Sequence, residues 1–126
     1  MLTHFMLGAN ELDVSLAFYD AVMGALGIDG QRTPDGGFYR RDGMTMGVKR
    51  PRNGAPVQPS NGLTISFAAR DTGEVDAFHA EGLAHGGTDE GGPGIRQNAP
   101  GNAYGAYLRD PAGNKICAFC QVSEME

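Results

Sequence analysis

The chain has 126 residues, a formal net charge of −5 and a hydrophobic fraction of 40%, which together predict one compact domain with an ordinary core. The acidic balance argues against a nucleic-acid partner, which needs a basic face, and the longest apolar runs are too short to cross a bilayer. Two cysteines make no disulfide framework, and the opening MLTHFMLGANELD lacks the basic start of a signal peptide, so a cytoplasmic location is expected.

The first half of the chain is predicted to form a strand, a helix and three further strands. Leu2–Gly8 is a short apolar run typical of a strand. Apolar residues recur at three-and-four spacing over Val14–Leu26, which indicates an amphipathic helix. Asn10 or Asp13 is expected to cap its start, and Gly27 to end it. The three strands that follow are predicted at Ile28–Arg32, Gly37–Arg41 and Met44–Arg50.

Turns and a linker separate these elements. Asp42-Gly43 is typical of a tight hairpin turn. Asp110-Pro111-Ala112-Gly113 predicts a second turn, because Pro111 presets its own φ and Gly113 tolerates a positive φ. Pro51–Asn61 carries three prolines and is the predicted linker between the halves.

The second half repeats the order of the first. Leu63–Ala69 is a predicted strand, and Asp71-Thr72-Gly73-Glu74 resembles a capping box that opens a helix ending at Gly86-Gly87. The glycine-rich stretch Thr88–Arg96 follows, and its Gly91–Gly94 part is interpreted as a mobile flap, since a phosphate loop would need a lysine. The closing strands are predicted at Ala103–Arg109 and Lys115–Val122.

The two halves match each other residue by residue. A shift of sixty places His4 on Thr64, and a shift that grows to seventy places Gly47 on Cys117. Gly37–Asp42 also matches Gly105–Asp110 in its Gly, Tyr, Arg and Asp. The sequence therefore predicts an α+β fold in a single domain, residues 1–126. Two tandem βαβββ modules, about 1–55 and 60–126, would form one curved mixed sheet, a cup with the helices on its outer face.

Three segments resemble the vicinal oxygen chelate superfamily: LTHFMLGANELDVSLAFYDAVMGALG, GLTISFAARDTGEVDAFHAEGLAHGG and YLRDPAGNKICAFC. This superfamily includes glyoxalase I, the extradiol dioxygenases, and the bleomycin- and fosfomycin-resistance proteins. The resemblance implies paired βαβββ modules, assembly as a homodimer, and a ligand in the cup between modules.

In metal-dependent relatives, four symmetry-related strand positions carry His, Gln or Glu ligands. The resemblance maps these positions onto His4, Gly47, Thr64 and Cys117, where His4 is the only usual ligand. One imidazole and one thiol are too few donors for a divalent ion unless the dimer or the substrate adds more. No metal or other cofactor is therefore predicted. The alternative for His4 is a partly buried histidine hydrogen-bonded to a neighbour.

The remaining candidate contacts follow from alternation along the strands, which turns several neighbours toward the mapped positions. This lining is neutral and partly apolar, so it suits a neutral or aromatic ligand, while the net charge mildly favours a cationic one. The resemblance adds Arg96 and Tyr104 at the border of the site, with a solvated turn as an equal alternative. The full candidate ligand-binding set is His4, Met6, Gly47, Thr64, Ser66, Arg96, Tyr104, Cys117 and Phe119.

Cys117 and Cys120 match the C-x-x-C pattern of redox and zinc sites. Residues three apart on a strand point to opposite faces, however, so these sulfurs are not expected to share a metal or a disulfide.

Two functions remain open. The first is a small-molecule binding protein of the glyoxalase/bleomycin-resistance type without the usual metal site. The second is a metal-dependent lyase or isomerase resembling glyoxalase I, in which Zn, Ni or Fe would stabilise an enediolate. An iron-dependent extradiol-type dioxygenase is less favoured, because it needs two histidines and a carboxylate. Whether the protein is an enzyme is left open at this point.

Overall fold

The computed structural model describes residues 1–96 and 103–121. They contain the predicted order of elements, strand–helix–three strands, twice over. The elements are β1 (His4–Gly8), α1 (Leu12–Ala25), β2 (Gly30–Thr33), β3 (Gly36–Arg41), β4 (Met44–Lys49), β5 (Ile65–Ala68), α2 (Thr72–Ala84), β6 (Thr88–Ile95), β7 (Tyr104–Arg109) and β8 (Lys115–Cys120).

The strands form two sheets with the same topology. The first sheet has the order β1-β4-β3-β2 and the second the order β5-β8-β7-β6. In each, the first strand runs parallel to the last strand of its module, and the remaining pairs are antiparallel. This confirms the α+β fold built from two tandem βαβββ modules. Among the described strands, no ladder joins β1 to β5, so the eight strands make two open sheets beside each other.

The helices pack on one face of each sheet and against each other. Phe18 and Val22 of α1 lie against Gly82 of α2, where a Cβ would collide with Leu108. A glycine at this position therefore lets α2 approach both α1 and β7, and the two modules share one hydrophobic core. Neither helix in the described part of the chain is long and apolar enough to span a membrane.

The start of α2 follows the prediction, and the start of α1 does not. The Asp71 carboxylate accepts a hydrogen bond from the Glu74 amide at 2.9 Å and caps α2. In α1 the N-cap residue is Glu11, and no side chain caps it. The Asn10 side-chain oxygen accepts instead from the Val57 amide at 2.7 Å, which ties the linker to the first module.

The predicted turn residues adopt the backbone conformations that their sequence favours. Gly27, after α1, has φ +79°, and Asp42 and Gly43 have φ +53° and +79°. Two consecutive positive φ values are typical of the two-residue hairpin turn that joins β3 and β4. Gly113, in the turn between β7 and β8, has φ +96°.

The segment that contains the predicted flap, Gly91–Gly94, forms a strand in the structure. Thr88–Ile95 forms the edge strand β6, which pairs with β7 with irregular register around Gly91. Its Pro93 is tolerated because an edge strand has one side free of ladder hydrogen bonds. The last strand, β8, ends at Cys120, and the predicted end at Val122 lies outside the described residues.

Candidate functional site

Each sheet has one face that packs against a helix and one that does not, and we call the second its open face. Side chains alternate between the two faces along a strand. In β1, Leu7 is buried and Phe5 half-buried in the core, whereas His4 and Met6 are exposed, Met6 to 52%. Residues paired across a sheet point to the same face, so the ladder registers assign every other strand.

The first open face holds three of the predicted contacts. Met6 pairs with Gly47, which in turn pairs with Phe38. A Cβ on Gly47 would lie 2.5 Å from the Met6 sulfur, so the thioether covers the glycine. His4 lies beside them, with its Nδ1 2.9 Å from the Thr3 hydroxyl. A cavity of about 370 Å³ over this face is lined by side chains from residues 3–49 alone.

The second open face holds four more predicted contacts. Ser66 pairs with Cys117, which pairs with Tyr107. Phe119 packs edge-on against Tyr107, with the ring centroids 5.6 Å apart. Thr64, two residues before Ser66, is exposed on the same face. The structure therefore divides the predicted set between the open faces of two different sheets.

Each mapped position on the last strand of a module has an aromatic ring beside it, and a cationic side chain lies over that ring. Beside Gly47, the Arg40 guanidinium lies 4.6 Å from the Phe38 centroid. Beside Cys117, Tyr107 has the Arg96 guanidinium 5.6 Å and the Lys115 ammonium 5.2 Å from its centroid.

The sequence reading missed Phe38, Tyr107, Arg40 and Lys115. The sequence does contain a signal for the two rings, because counting outward from a hairpin turn gives the residues that pair across the two strands. From Asp42-Gly43 this count pairs residue 38 with residue 47, as the structure does.

Arg96 and Tyr104 were predicted together at the border of the site, and the structure separates them. Arg96 lies over Tyr107 on the second open face and donates to the Gly92 carbonyl at 2.6 Å. Tyr104 lies on the helix side of β7, where its hydroxyl donates to the Asp76 carboxylate of α2 at 2.6 Å. This hydrogen bond directs the Tyr104 phenol away from the open face.

Cys117 is 2% exposed. Burial raises its pKa, although a hydrogen bond with Ser66 and the charges of Lys115 and Arg96 act in the opposite direction. Cys120 faces the helix side, so the two sulfurs lie on opposite faces of β8 as predicted, and both cysteines are free. A buried thiol with a raised pKa is a poor metal ligand, because a metal binds the thiolate.

The donors at the four mapped positions do not fit a divalent ion. Gly47 offers none, Thr64 offers a neutral hydroxyl, Cys117 offers a buried thiol whose pKa is raised, and only His4 carries an exposed imidazole. Within residues 1–96 and 103–121, no three His, Cys, Asp or Glu side chains come together in a way that could hold a metal ion.

A separate cavity of about 450 Å³ lies where the two modules meet. Its deep part is lined by Met23 and Met46, which face the core, and its wall includes Phe5 and Phe67, whose rings are 6.4 Å apart. Ser66 borders it through the edge of β5. His4 and Gly47 do not line this cavity, although Arg40 lines both it and the cavity over the first open face.

These open faces and the doubled topology agree with a known family. The model of the Glyoxalase/Bleomycin resistance protein/Dioxygenase superfamily matches residues 1–118. The chain belongs to this superfamily. The match confirms the sequence-based resemblance, since the vicinal oxygen chelate name covers the same proteins.

Solved structures of the superfamily support the assignment. A glyoxalase/bleomycin resistance protein from Albidiferax ferrireducens T118 is 50% identical, with a TM-score of 0.89 over 94% of this chain and 98% of that one. A glyoxalase-related enzyme from Fulvimarina pelagi is 21% identical, with a TM-score of 0.74 over 94% of this chain and 86% of that one, and this likeness shows the fold alone.

A more distant structure is lactoylglutathione lyase from Agrobacterium tumefaciens. It is 23% identical, with a TM-score of 0.64 over 94% of this chain and 92% of that one. At this identity the likeness shows a common fold alone. No curated protein matches the chain significantly.

Proposed function

We propose that this protein binds a small organic molecule on the open faces of its sheets without a divalent metal, and that it does so as a homodimer. One observation carries the metal-free part. At Gly47 the place of a ligand carboxylate is taken by the thioether of Met6, which lies 2.5 Å from where a Cβ would stand. A thioether is a soft, neutral donor, unsuited to the ions that imidazole and carboxylate sites hold.

The lining of the open faces suits an organic ligand. Ser66 supplies a hydroxyl, and Phe119 and Tyr107 present aromatic surface in an edge-on pair. Such a combination of apolar contact and a few polar groups is the usual composition of a small-molecule site.

The homodimer follows from what a single chain leaves uncovered. β1 and β5 are edge strands, each paired on one side only within the described residues. Met6 is 52% exposed at the centre of the first open face. A second copy placed over these faces would cover the apolar surface and the strand edges, and would turn two shallow faces into a cleft.

Metal content tests the metal-free part. Protein purified without chelator is analysed by mass spectrometry for zinc, nickel and iron, together with the His4→Ala variant. The control is His85→Ala, which removes an exposed imidazole at the end of α2. We expect less than about one tenth of an equivalent of metal in all three proteins, since a protein site usually needs three or four donors. Stoichiometric metal lost only in His4→Ala would replace this proposal with the glyoxalase-like lyase.

Thermal-shift screening with a small-molecule library tests the binding part. Compounds that stabilise the protein should lose their effect in Ala68→Trp, because residue 68 is exposed in β5 and pairs with Phe119 on the open face. Ala68 also lines the cavity between the modules, so compounds on the open face should in addition lose their effect in Phe119→Ala, a residue that does not line that cavity. Ala84→Trp, at the exposed end of α2, is the matched control. Compounds that stabilise Ala68→Trp as well as the parent protein would place the ligand elsewhere.

A further inference from the structure

The second open face carries a concentration of positive charge that the chain as a whole does not. Arg96, Arg109 and Lys115 surround Tyr107, and two of them lie within 5.6 Å of its centroid. Residues 96 and 115 also act electrostatically on the thiol between them, since both charges work to lower the pKa of Cys117. In a protein with a net charge of −5, this face is locally cationic.

In the part of the chain that the structure describes, two of these cations have no carboxylate close enough to neutralise them. Arg109 pairs with Glu90 at 3.4 Å and donates to the Gly113 carbonyl. Within residues 1–96 and 103–121, no carboxylate lies within salt-bridge distance of Arg96 or Lys115. Arg96 and Lys115 are both half-buried. A half-buried cation without a counter-charge has lost part of its hydration, and an anionic ligand restores the lost stabilisation.

Lys115 also lines a concave site. A cavity of about 430 Å³ lies between the end of the linker, residues 59–63, and the strands β7 and β8. Its walls include the ammonium-bearing Lys115, the guanidinium-bearing Arg109 and the hydroxyl residues Ser60 and Thr64. Ammonium and hydroxyl groups are hydrogen-bond donors suited to a carboxylate.

We propose that the ligand of this site is an aromatic carboxylate and that Lys115 binds its carboxylate group. This proposal rests on the proposed function and names its ligand class. Tyr107 and Phe119 do not line the cavity, but the Lys115 ammonium lies 5.2 Å from the Tyr107 centroid, so the ring of the ligand would extend from the cavity onto this edge-on pair. Arg96 would strengthen the positive potential from the other flank. The neutral or cationic ligand expected from sequence is replaced, because that expectation omitted Lys115 and used the net charge of the whole surface.

Three probes that share one ring system separate charge from shape: 2-naphthoate, 2-naphthamide and 2-naphthylmethylamine. Their affinities are measured by isothermal titration calorimetry on the full chain. We expect the order naphthoate, naphthamide, amine from tightest to weakest. Lys115→Gln should weaken naphthoate about ten- to hundredfold, the range for a hydrogen bond between charged groups. Naphthamide affinity should change less than about threefold, since the amide carries no charge.

Two further variants exclude trivial explanations. Arg52→Gln removes one positive charge from an exposed residue beyond β4 and should change naphthoate affinity less than about twofold, because exposed charges are screened by salt. Lys115→Arg keeps the charge and should stay within about fivefold of the parent protein. Far-UV circular dichroism of each variant establishes that it is folded.

Several outcomes would overturn the proposal. Equal binding of all three probes would leave a small-molecule site without the anionic preference, so the proposed function would survive and this inference would not. The same holds if the library yields only neutral or cationic ligands. If no probe and no library compound binds, both fail. If Lys115→Gln lowers the molar mass in light scattering and leaves naphthoate affinity unchanged, the cations bind carboxylates of a second copy instead.

Discussion

The hydroxyl of Tyr19 on α1 donates a 2.6 Å hydrogen bond to the carboxylate of Asp110, which begins the turn between β7 and β8. The same carboxylate accepts from the amides of Ala112 and Asn114 and from the Asn114 side chain, each at 2.9 Å. The Asn114 side chain also reaches the Gly8 carbonyl of β1 at 3.1 Å. One buried carboxylate with four donors thus ties the second module to the helix and first strand of the first.

Removing the Tyr19 hydroxyl should destabilise the protein. We expect Tyr19→Phe to lower the free energy of unfolding by about 1–3 kcal/mol, because it leaves a buried carboxylate with one donor fewer. Urea unfolding followed by far-UV circular dichroism measures this. Tyr107→Phe is the control, since no described residue accepts from or donates to its hydroxyl, and it should change the free energy by less than about 0.5 kcal/mol. Equal losses in both variants would mean that the Tyr19–Asp110 contact contributes nothing specific.

Stability should fall at alkaline pH, and two tyrosines should account for part of the fall. Burial, reinforced by the charge of Asp110, raises the pKa of Tyr19 well above its usual value. Burial and the hydrogen bond to Asp20 raise the pKa of Tyr39 as well. The folded state therefore holds these protons more tightly than the unfolded chain, whose tyrosines titrate near about pH 10. Their contribution is complete below about pH 10 and is lost as the pH rises above it.

Urea unfolding of the parent protein and of Tyr19→Phe/Tyr39→Phe at about pH 8 and about pH 11 measures this dependence. The double variant should be less stable at the lower pH and should lose less stability on going to the higher one. Cys117 and Cys120, whose pKa values are also raised by burial, act equally in both proteins. An identical loss in the two proteins would contradict the assignment to tyrosine.

Two glycines that face the same side of the first sheet should respond differently to alanine. A Cβ on Gly36 would collide with the backbone carbonyl of Val48, which cannot move aside. A Cβ on Gly47 would meet the far end of the flexible, exposed Met6 side chain. We expect Gly36→Ala to cost about 1–3 kcal/mol, as overpacking does. Gly47→Ala should change stability by less than about 1 kcal/mol. Alanine lowers the conformational entropy of the unfolded chain, and this stabilising effect offsets the close contact with Met6. Chemical denaturation measures the free energy of unfolding of both variants. A larger loss of stability at residue 47 than at residue 36 would contradict this prediction.

The open faces should be the dimer interface. We expect the parent protein to have the mass of a dimer in light scattering at concentrations on the order of tens of micromolar, where interfaces of standard size are occupied. Met6→Glu should shift it to a monomer, because it places a charge in the apolar centre of the first open face. Val14→Glu, which alters a residue 43% exposed on α1, should remain a dimer. A monomeric parent protein, or a dimer that only Val14→Glu disrupts, would place the interface elsewhere.

The internal match of Gly37–Asp42 with Gly105–Asp110 shows what a comparison within the sequence predicts correctly and what it does not. In that match Tyr39 corresponds to Tyr107. In the structure Tyr39 pairs with Met46 on the helix side, whereas Tyr107 pairs with Cys117 on the open face. The module equivalent of Tyr107 is therefore Phe38. A shift of one residue moves every side chain of a strand to the other face, so the match found the strands and misassigned their faces.

The sequence by itself determined the elements whose cause is local. The helix periodicity, the Asp71 cap, and the turn residues Gly27, Gly43 and Gly113 act through neighbours a few residues away, and the structure has them as predicted. The repeat of these local elements was enough to predict two βαβββ modules, and the superfamily came from the resemblance of three sequence segments to its members.

Only the tertiary structure decided the features that depend on contacts between distant segments. Asn10 holds the linker at residue 57 instead of capping α1, and Tyr104 turns toward α2 because Asp76 accepts its hydrogen bond. The glycine-rich segment 88–95 has little strand propensity of its own, and it forms β6 because its backbone pairs with that of β7. The cation cluster around Tyr107 joins residues 96 and 115 in the same way. Such contacts form only when the chain brings together residues that are not neighbours in sequence, and closing the loop between them costs entropy, so no local pattern predicts them.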